Sequence, residues 1–306
     1  WLYYFLQTVN VQRLNEATGV PSLSRNLLYQ IEILKPPTIE QAKIAEVVST
    51  LDRAIEQTEA LIAKQERIKT GLMQDLLTRG IDENGNIRSE KTHEFKNSSQ
   101  GPIPVEWREK PFNECVSIVE GQKDPKTLPY KDWILVAPDH VEALTGRLTS
   151  TITARDQGAI SGKYAFRCGD VVYSKIRPYL RKAILVDFEG LCSADMYPLR
   201  PKNDLTSYYL FMTILGETFS RYAESVSVRS GFPKINRIEL SEFMMCLPTV
   251  EEQIRISNII GCHCKYIDKL NKTLCKYRSI KNLLMQDLLT SKLPTTPSKN
   301  TKDKST

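Results

Sequence analysis

Two stretches of the chain alternate apolar and polar residues with the period of a helix. In the first, Ile44, Val48, Leu51, Ile55, Ile62, Leu72 and Leu76 fall on one stripe. In the second, Ile256, Ile260, Ile267, Leu270, Leu274, Leu284 and Leu288 do the same. Steps of three and four residues bring these side chains onto one seam, as two long helices packing on each other require. The pattern predicts helices over 39–78 and 250–290. Their starts are marked as well: "KPPTIEQ" and "LPTVEEQ" put Pro before the first turn and acidic residues inside it, where the helix dipole favours them. Thr58, Gln65 and Lys69 interrupt the first seam, and His263, Tyr277 and Lys281 the second. Such polar interruptions fix register and partner at some cost in stability. A helix of about 38 residues is roughly 57 Å long, the dimension of a spacer. An antiparallel pair within the chain is the expected packing, because a connecting segment and a domain separate the helices. A homodimeric coiled coil is the alternative.

The two helical segments are copies. "LMQDLLT" occurs at Leu72–Thr78 and again at Leu284–Thr290, and the match extends without a gap from Gly19–Thr78 onto Gly231–Thr290, an offset of 212 residues. Pro21/Pro233, Arg25/Arg237, Pro36/Pro248, Glu40/Glu252, Gln41/Gln253 and Lys64/Lys276 are identical pairs within it. A period this long excludes a solenoid, whose units run roughly 20–50 residues. Each unit reads as a domain plus a connector, with the first domain incomplete. Residues 1–38 are then the end of that domain, and the chain, starting at Trp1, is expected to be a fragment of a longer protein.

Between the helices, 79–100 reads as a polar linker and 101–249 as a globular domain. Strand signals stand at Trp133–Pro138, at Tyr164–Ser174 with a turn at Gly169-Asp170, and at Lys182–Phe188. A helical stretch, "YYLFMTILGETFSRYAE", follows, and "GFPKINRIELSEFMMCLP" returns to strand-like alternation. The fold class is α+β (mixed α/β) with two long helices as an antiparallel coiled coil. The tail, 291–306, is rich in Lys, Ser, Thr and Pro and reads as disordered.

Composition narrows the setting. The 306 residues allow about two domains, and no apolar run reaches the roughly 18 residues of a membrane span. Seven cysteines without paired spacing argue against a disulfide framework, so a cytoplasmic protein is expected. A net charge of +6 permits nucleic-acid binding without demonstrating it.

The loop "SKIRPYLRK" gives that charge a location. Ser174, Lys175, Arg177, Tyr179, Arg181 and Lys182 surround a Pro-Tyr turn between two strands, with Lys163 a strand away. Arg bonds guanine edges or phosphate bidentately, Lys meets phosphate as a point charge, and Tyr stacks or donates. Arg229, Lys234 and Asn236 follow near the second repeat's Gly-x-Pro turn, and Arg25 occupies the corresponding place in the first. These residues are the DNA-contact candidates. A solvated loop is the plain alternative.

The domain opening "GPIPVEW", the runs "GDVVYSKIRPYLRK" and "CSADMYPLRP", the paired "EQ" helix starts and the twin "MQDLLT" endings together resemble the specificity subunit of type I restriction-modification systems. The resemblance covers nearly the whole chain. It implies two target-recognition domains, each reading half of a split sequence in double-stranded DNA, held apart by an antiparallel helix pair. It also implies that the helices dock two modification methyltransferase subunits and, through them, restriction motor subunits.

Catalytic motifs are missing. The sequence has no G-x-x-x-x-G-K-[ST], no G-x-G-x-x-G and no "NPPY", so it implies no cofactor and no catalytic residue. "Cys262-His263-Cys264" suggests a metal, but adjacent helical residues point apart and the first repeat has Thr50, Leu51 and Asp52 there. "EGQKDPK" at Glu120–Lys126 lacks a second well-placed carboxylate for a nuclease. A coiled-coil adaptor whose domain binds protein is the alternative from another class.

Overall fold

The structure, a computed structural model, describes residues 1–10, 23, 25–31, 33, 35–227 and 232–289. In chain order its helices are α1 (Leu2–Thr8), α2 (Arg25–Tyr29), α3 (Thr38–Thr78), α4 (Phe112–Cys115), α5 (Ser207–Leu215), α6 (Glu217–Val226), α7 (Arg237–Ser241) and α8 (Val250–Leu289). The strands are β1 (Phe95–Ser98), β2 (Gly101–Pro104), β3 (Arg108–Pro111), β4 (Val116–Ile118), β5 (Gln122–Lys123), β6 (Leu135–Val136), β7 (Lys163–Phe166), β8 (Val171–Ser174), β9 (Ala183–Leu185), β10 (Gly190–Cys192), β11 (Met196–Pro201) and β12 (Met244–Leu247). The chain divides into two compact units, one of Trp1–Arg67 with Lys265–Thr306 and one of Ile68–Cys264. No helix among the described residues is long and apolar enough to cross a membrane.

In the larger unit, alternation along the strands builds a layered domain. Sheet β4-β11-β8-β9 is covered on both faces. Val171 and Tyr173 of β8 and Ala183 of β9 point into a core with Tyr209, Leu210 and Phe211 of α5 and Phe219 of α6. Their neighbours Val172 and Ile184 point the other way, onto Phe166, Val136 and Cys192 of the second sheet, β5-β7-β10-β6. A period of two thus sends one strand's side chains into two cores. Gly169-Asp170 carries the chain from β7 in one sheet to β8 in the other. Buried Asp170 accepts two hydrogen bonds from Arg200, both 2.8 Å, which hold that turn.

The domain is anchored to the end of α3 and the start of α8. Met73 and Leu76 share the first core with Ile256, Ile260 and Trp107. At its edge the Glu252 carboxylate accepts from Arg88 (2.5 and 3.2 Å), from the Ile81 amide (2.9 Å) and from Trp107 Nε1 (3.3 Å). Gly80 adopts φ +63°, and a Cβ there would run into Glu252, Trp107 and Arg88, so only glycine fits both the turn and the close approach. Gln253 is fully buried beside it. Its side chain donates to the carbonyls of Asp204 (2.7 Å) and Pro248 (3.1 Å) and accepts from the Thr206 amide (2.9 Å).

The stretch 79–100, expected as a polar linker, carries regular structure of its own. Ile81 pairs with Ile87, Arg88 is buried, and β1 pairs antiparallel with β2. The strand-like reading of 231–248 gives way at Arg237–Ser241, which is helical. Asn236 accepts from the Glu239 amide while Glu239 accepts from the Asn236 amide, a reciprocal cap that favours a helical turn. The tail expected to be disordered, 291–306, lies outside the described residues.

In the smaller unit, Ile44 and Val48 of α3 pack with Tyr4 of α1 and with Met285, Leu288 and Leu289 of α8. Burying side chains of this kind contributes roughly 1.5–3 kcal/mol each. Further along, Asp52 meets Lys281 (2.6 Å) and the Tyr4 hydroxyl (2.9 Å), and Glu59 meets Arg278 (2.7 Å). Partner numbers fall on α8 as they rise on α3, so the two segments run in opposite directions. Ile267 and Leu274 are buried, whereas Leu51, Ile55, Ile62 and Leu284 are half-buried; Leu72, which belongs to the larger unit, is half-buried against that unit's core.

Candidate nucleic-acid interface

The loop between β8 and β9 is fastened at nearly every backbone position. Lys175 donates from its amide to the Asp195 carbonyl and accepts from the Ile235 amide, both at 3.0 Å, and the Arg177 amide donates to the Pro233 carbonyl (2.8 Å). Ile176 bridges Lys234. Arg177 and Arg181 both sit in the left-handed region, at φ 49° and 46°. That conformation costs a non-glycine residue on the order of 1–3 kcal/mol, and such strain clusters at functional sites. Pro178–Leu180 forms a short 3-10 turn between them, with Pro178 buried.

The anchoring divides the candidate cations into two groups. Several are turned inward. Lys163 is buried and donates to Ser161 O and Oγ, both 2.7 Å. Ser174 is buried and donates to the Ile176 carbonyl (3.1 Å). Lys175, also buried, places its ammonium 5.0 Å from the Tyr197 ring centroid. Burial pulls the pKa of both lysines down; at Lys175 the Lys234 charge adds to the effect. Arg181 pairs with Glu217 (2.6 Å), and Lys182 donates to the Pro138 carbonyl (2.6 Å). Asn236 is committed to capping α7.

The outward group is smaller. Arg177, Tyr179 and Lys234 are exposed, and the Arg177 guanidinium lies 5.4 Å from the ring centroid of Phe232. Phe232 is 74% exposed and directly precedes Pro233, whose carbonyl is tied to the loop; in the sequence alone nothing in its local pattern distinguishes it from a core residue. Arg237, in the second repeat at the place of Arg25, is held by backbone carbonyls and rings. It donates to the Ile118 (3.2 Å) and Val119 (3.0 Å) carbonyls and lies between the Tyr164 and Tyr197 rings, at 5.7 and 5.0 Å. Arg25 belongs to the smaller unit, exposed at the start of α2. Arg229 lies outside the described residues. On α8, Cys262 is exposed while Cys264 packs against the apolar core.

A basic, aromatic surface on a rigid loop suits nucleic acid. Residues 104–276 match the model of the type I restriction modification DNA specificity domain. The chain belongs to the type I restriction-modification DNA specificity family. A curated family member, the type I restriction enzyme EcoDI specificity subunit of Escherichia coli, is 31% identical over 305 residues, covering 94% of this chain and 67% of its own. The MjaVIII specificity subunit of Methanocaldococcus jannaschii is 23% identical over 96% of this chain and 70% of its own. Among solved structures, the type I restriction-modification S subunit from M. genitalium shares the fold of this specificity-family chain. It has a TM-score of 0.60 at 14% identity, across 94% of this chain and 71% of that one.

Proposed function

We propose that this chain is the non-catalytic, DNA-reading subunit of a cytoplasmic type I restriction-modification complex. Its domain at 101–249 reads one half of a bipartite duplex target. The long helices form an antiparallel coiled coil that serves as the spacer. They also dock two modification methyltransferase subunits and, through them, the restriction motor subunits.

The observation that carries the DNA reading is Arg177: a strained, left-handed residue fixed by the Pro233 carbonyl, with its guanidinium exposed beside an exposed aromatic ring. Holding a cation on a rigid loop lowers the ordering cost of a base or phosphate contact. The duplicated architecture is supported by parallel details. Helices α2 and α7 occupy equivalent places in the two copies. Gln41 and Gln253 each donate to the proline carbonyl five residues back, at 2.7 and 3.1 Å. Opposed pairing of Asp52 with Lys281 and of Glu59 with Arg278 supports the coiled coil.

The test is the affinity of the complex, purified with its methyltransferase subunit, for duplex DNA as salt rises from 50 to 200 mM. A DNA reader loses affinity steeply, with a log–log slope of about −0.9 per phosphate contact. Binding that is absent or indifferent to salt would move the domain to protein recognition.

A further inference from the structure

We infer that Phe232 is a nucleobase wedge: a side chain that stacks on, or inserts beside, a base of the duplex target, with Arg177 as its cationic companion. The inference rests on the DNA-reading function proposed above and adds a contact that charge alone does not supply.

Among the described residues, no hydrophobic core includes Phe232. At 74% exposure it leaves nearly its whole ring in water, in a domain that buries Phe112, Phe166, Phe219 and Phe243 to 3% exposure or less. The residues after it are tied to the basic loop by the Arg177 amide to Pro233 carbonyl bond (2.8 Å), the Ile235 amide to Lys175 carbonyl bond (3.0 Å) and the Ile176–Lys234 bridge. The ring is therefore presented on the same frame as the exposed cations Arg177 and Lys234. Arg177 lies 5.4 Å from its centroid, close enough for the guanidinium and the ring to act as one surface.

That combination fits a particular ligand chemistry. Lys234 and Arg177 meet phosphate or a base edge, and the exposed ring beside Arg177 meets a flat, apolar face. Nucleobases offer such a face. Apolar wedges unstack base steps and kink the duplex, and base–aromatic stacking is sequence-tolerant. An acidic protein partner would engage the two cations but leave the ring without a matching plane.

The experiment uses the complex with its methyltransferase subunit and a 40-base-pair duplex carrying the motif that the complex methylates in its host. Phe232→Ala is expected to weaken binding about 5- to 50-fold with the salt slope unchanged, and Phe232→Tyr to restore most of the loss. In Phe232→Trp, the added indole fluorescence is expected to be quenched when the duplex binds. If the unsubstituted complex binds this duplex with normal salt dependence while Phe232→Ala stays within twofold and the indole is unquenched, the wedge is wrong and the DNA reading stands. Absence of salt-dependent binding by the unsubstituted complex would overturn both.

Discussion

Arg88 and Glu252 stand 164 positions apart in the sequence and form a two-bond ion pair, at 2.5 and 3.2 Å, with the two residues only 8% and 4% exposed. The pair joins the turn after α3 to the first turn of α8, so the domain between them begins and ends at one buried node. This explains why the helix start is marked by Glu-Gln: Glu252 holds the incoming turn, and Gln253 holds Asp204, Thr206 and Pro248.

Removing one partner of that pair leaves a charge buried and unpaired. Glu252→Ala is expected to destabilise the larger unit by about 3–5 kcal/mol, and replacing both residues with Met to cost clearly less than the sum of the single changes. Urea unfolding followed by tryptophan fluorescence reads both, since Trp107 donates to the same carboxylate. Additive single effects would show that the pair is not coupled.

Asp52 and Glu59 both face cations across the helices, but their surroundings differ. Asp52 accepts from Lys281 and from the Tyr4 hydroxyl with its side chain 26% exposed, whereas the Glu59–Arg278 pair is 45% and 57% exposed. Solvent screening leaves the second pair little to contribute. Asp52→Ala is expected to cost about 1.5–3 kcal/mol and Glu59→Ala at most about 1 kcal/mol in chemical denaturation. Equal costs would remove Tyr4 and burial from the explanation.

The Arg181–Glu217 pair predicts a pH dependence. The hydrogen bond from Arg181 is the largest cause holding the Glu217 carboxyl below the usual glutamate value of 4.5; the charges of Arg181 and Arg221 act the same way. A depressed folded-state pKa stabilises the fold above the unfolded value, and that stabilisation is lost as pH falls through the lowered one. The melting-temperature gap between the unsubstituted chain and Glu217→Gln is expected to be constant above pH 4.5 and to shrink below it. A gap that persists unchanged into acid would separate Arg181 from that carboxylate.

How much of this was readable in advance follows from where each signal resides. The helices were legible because apolar spacing, Pro and acidic first turns all act locally. The helical turn at Arg237–Ser241 was legible in principle, since Asn236 and Glu239 form a capping pair three residues apart, but the apolar alternation around it reads as strand. The order of 79–100 was not legible, because Arg88 is buried by a partner 164 residues away. At the basic loop, sequence shows six polar or charged residues of similar promise. Only the fold shows Arg181 turned to Glu217, Lys182 to the Pro138 carbonyl, and Arg177 left facing outward beside Phe232.

The most direct test of the account is the methylation motif itself. Host DNA would be sequenced for modified adenines with the complex carrying either unsubstituted Arg177 or Arg177→Ala, after assembly with the methyltransferase subunit is verified for both. The account predicts a two-part motif in which Arg177→Ala relaxes or abolishes recognition in one part and leaves the other part and complex assembly unchanged. An identical motif and methylation level in both would contradict the assignment of this loop to DNA reading.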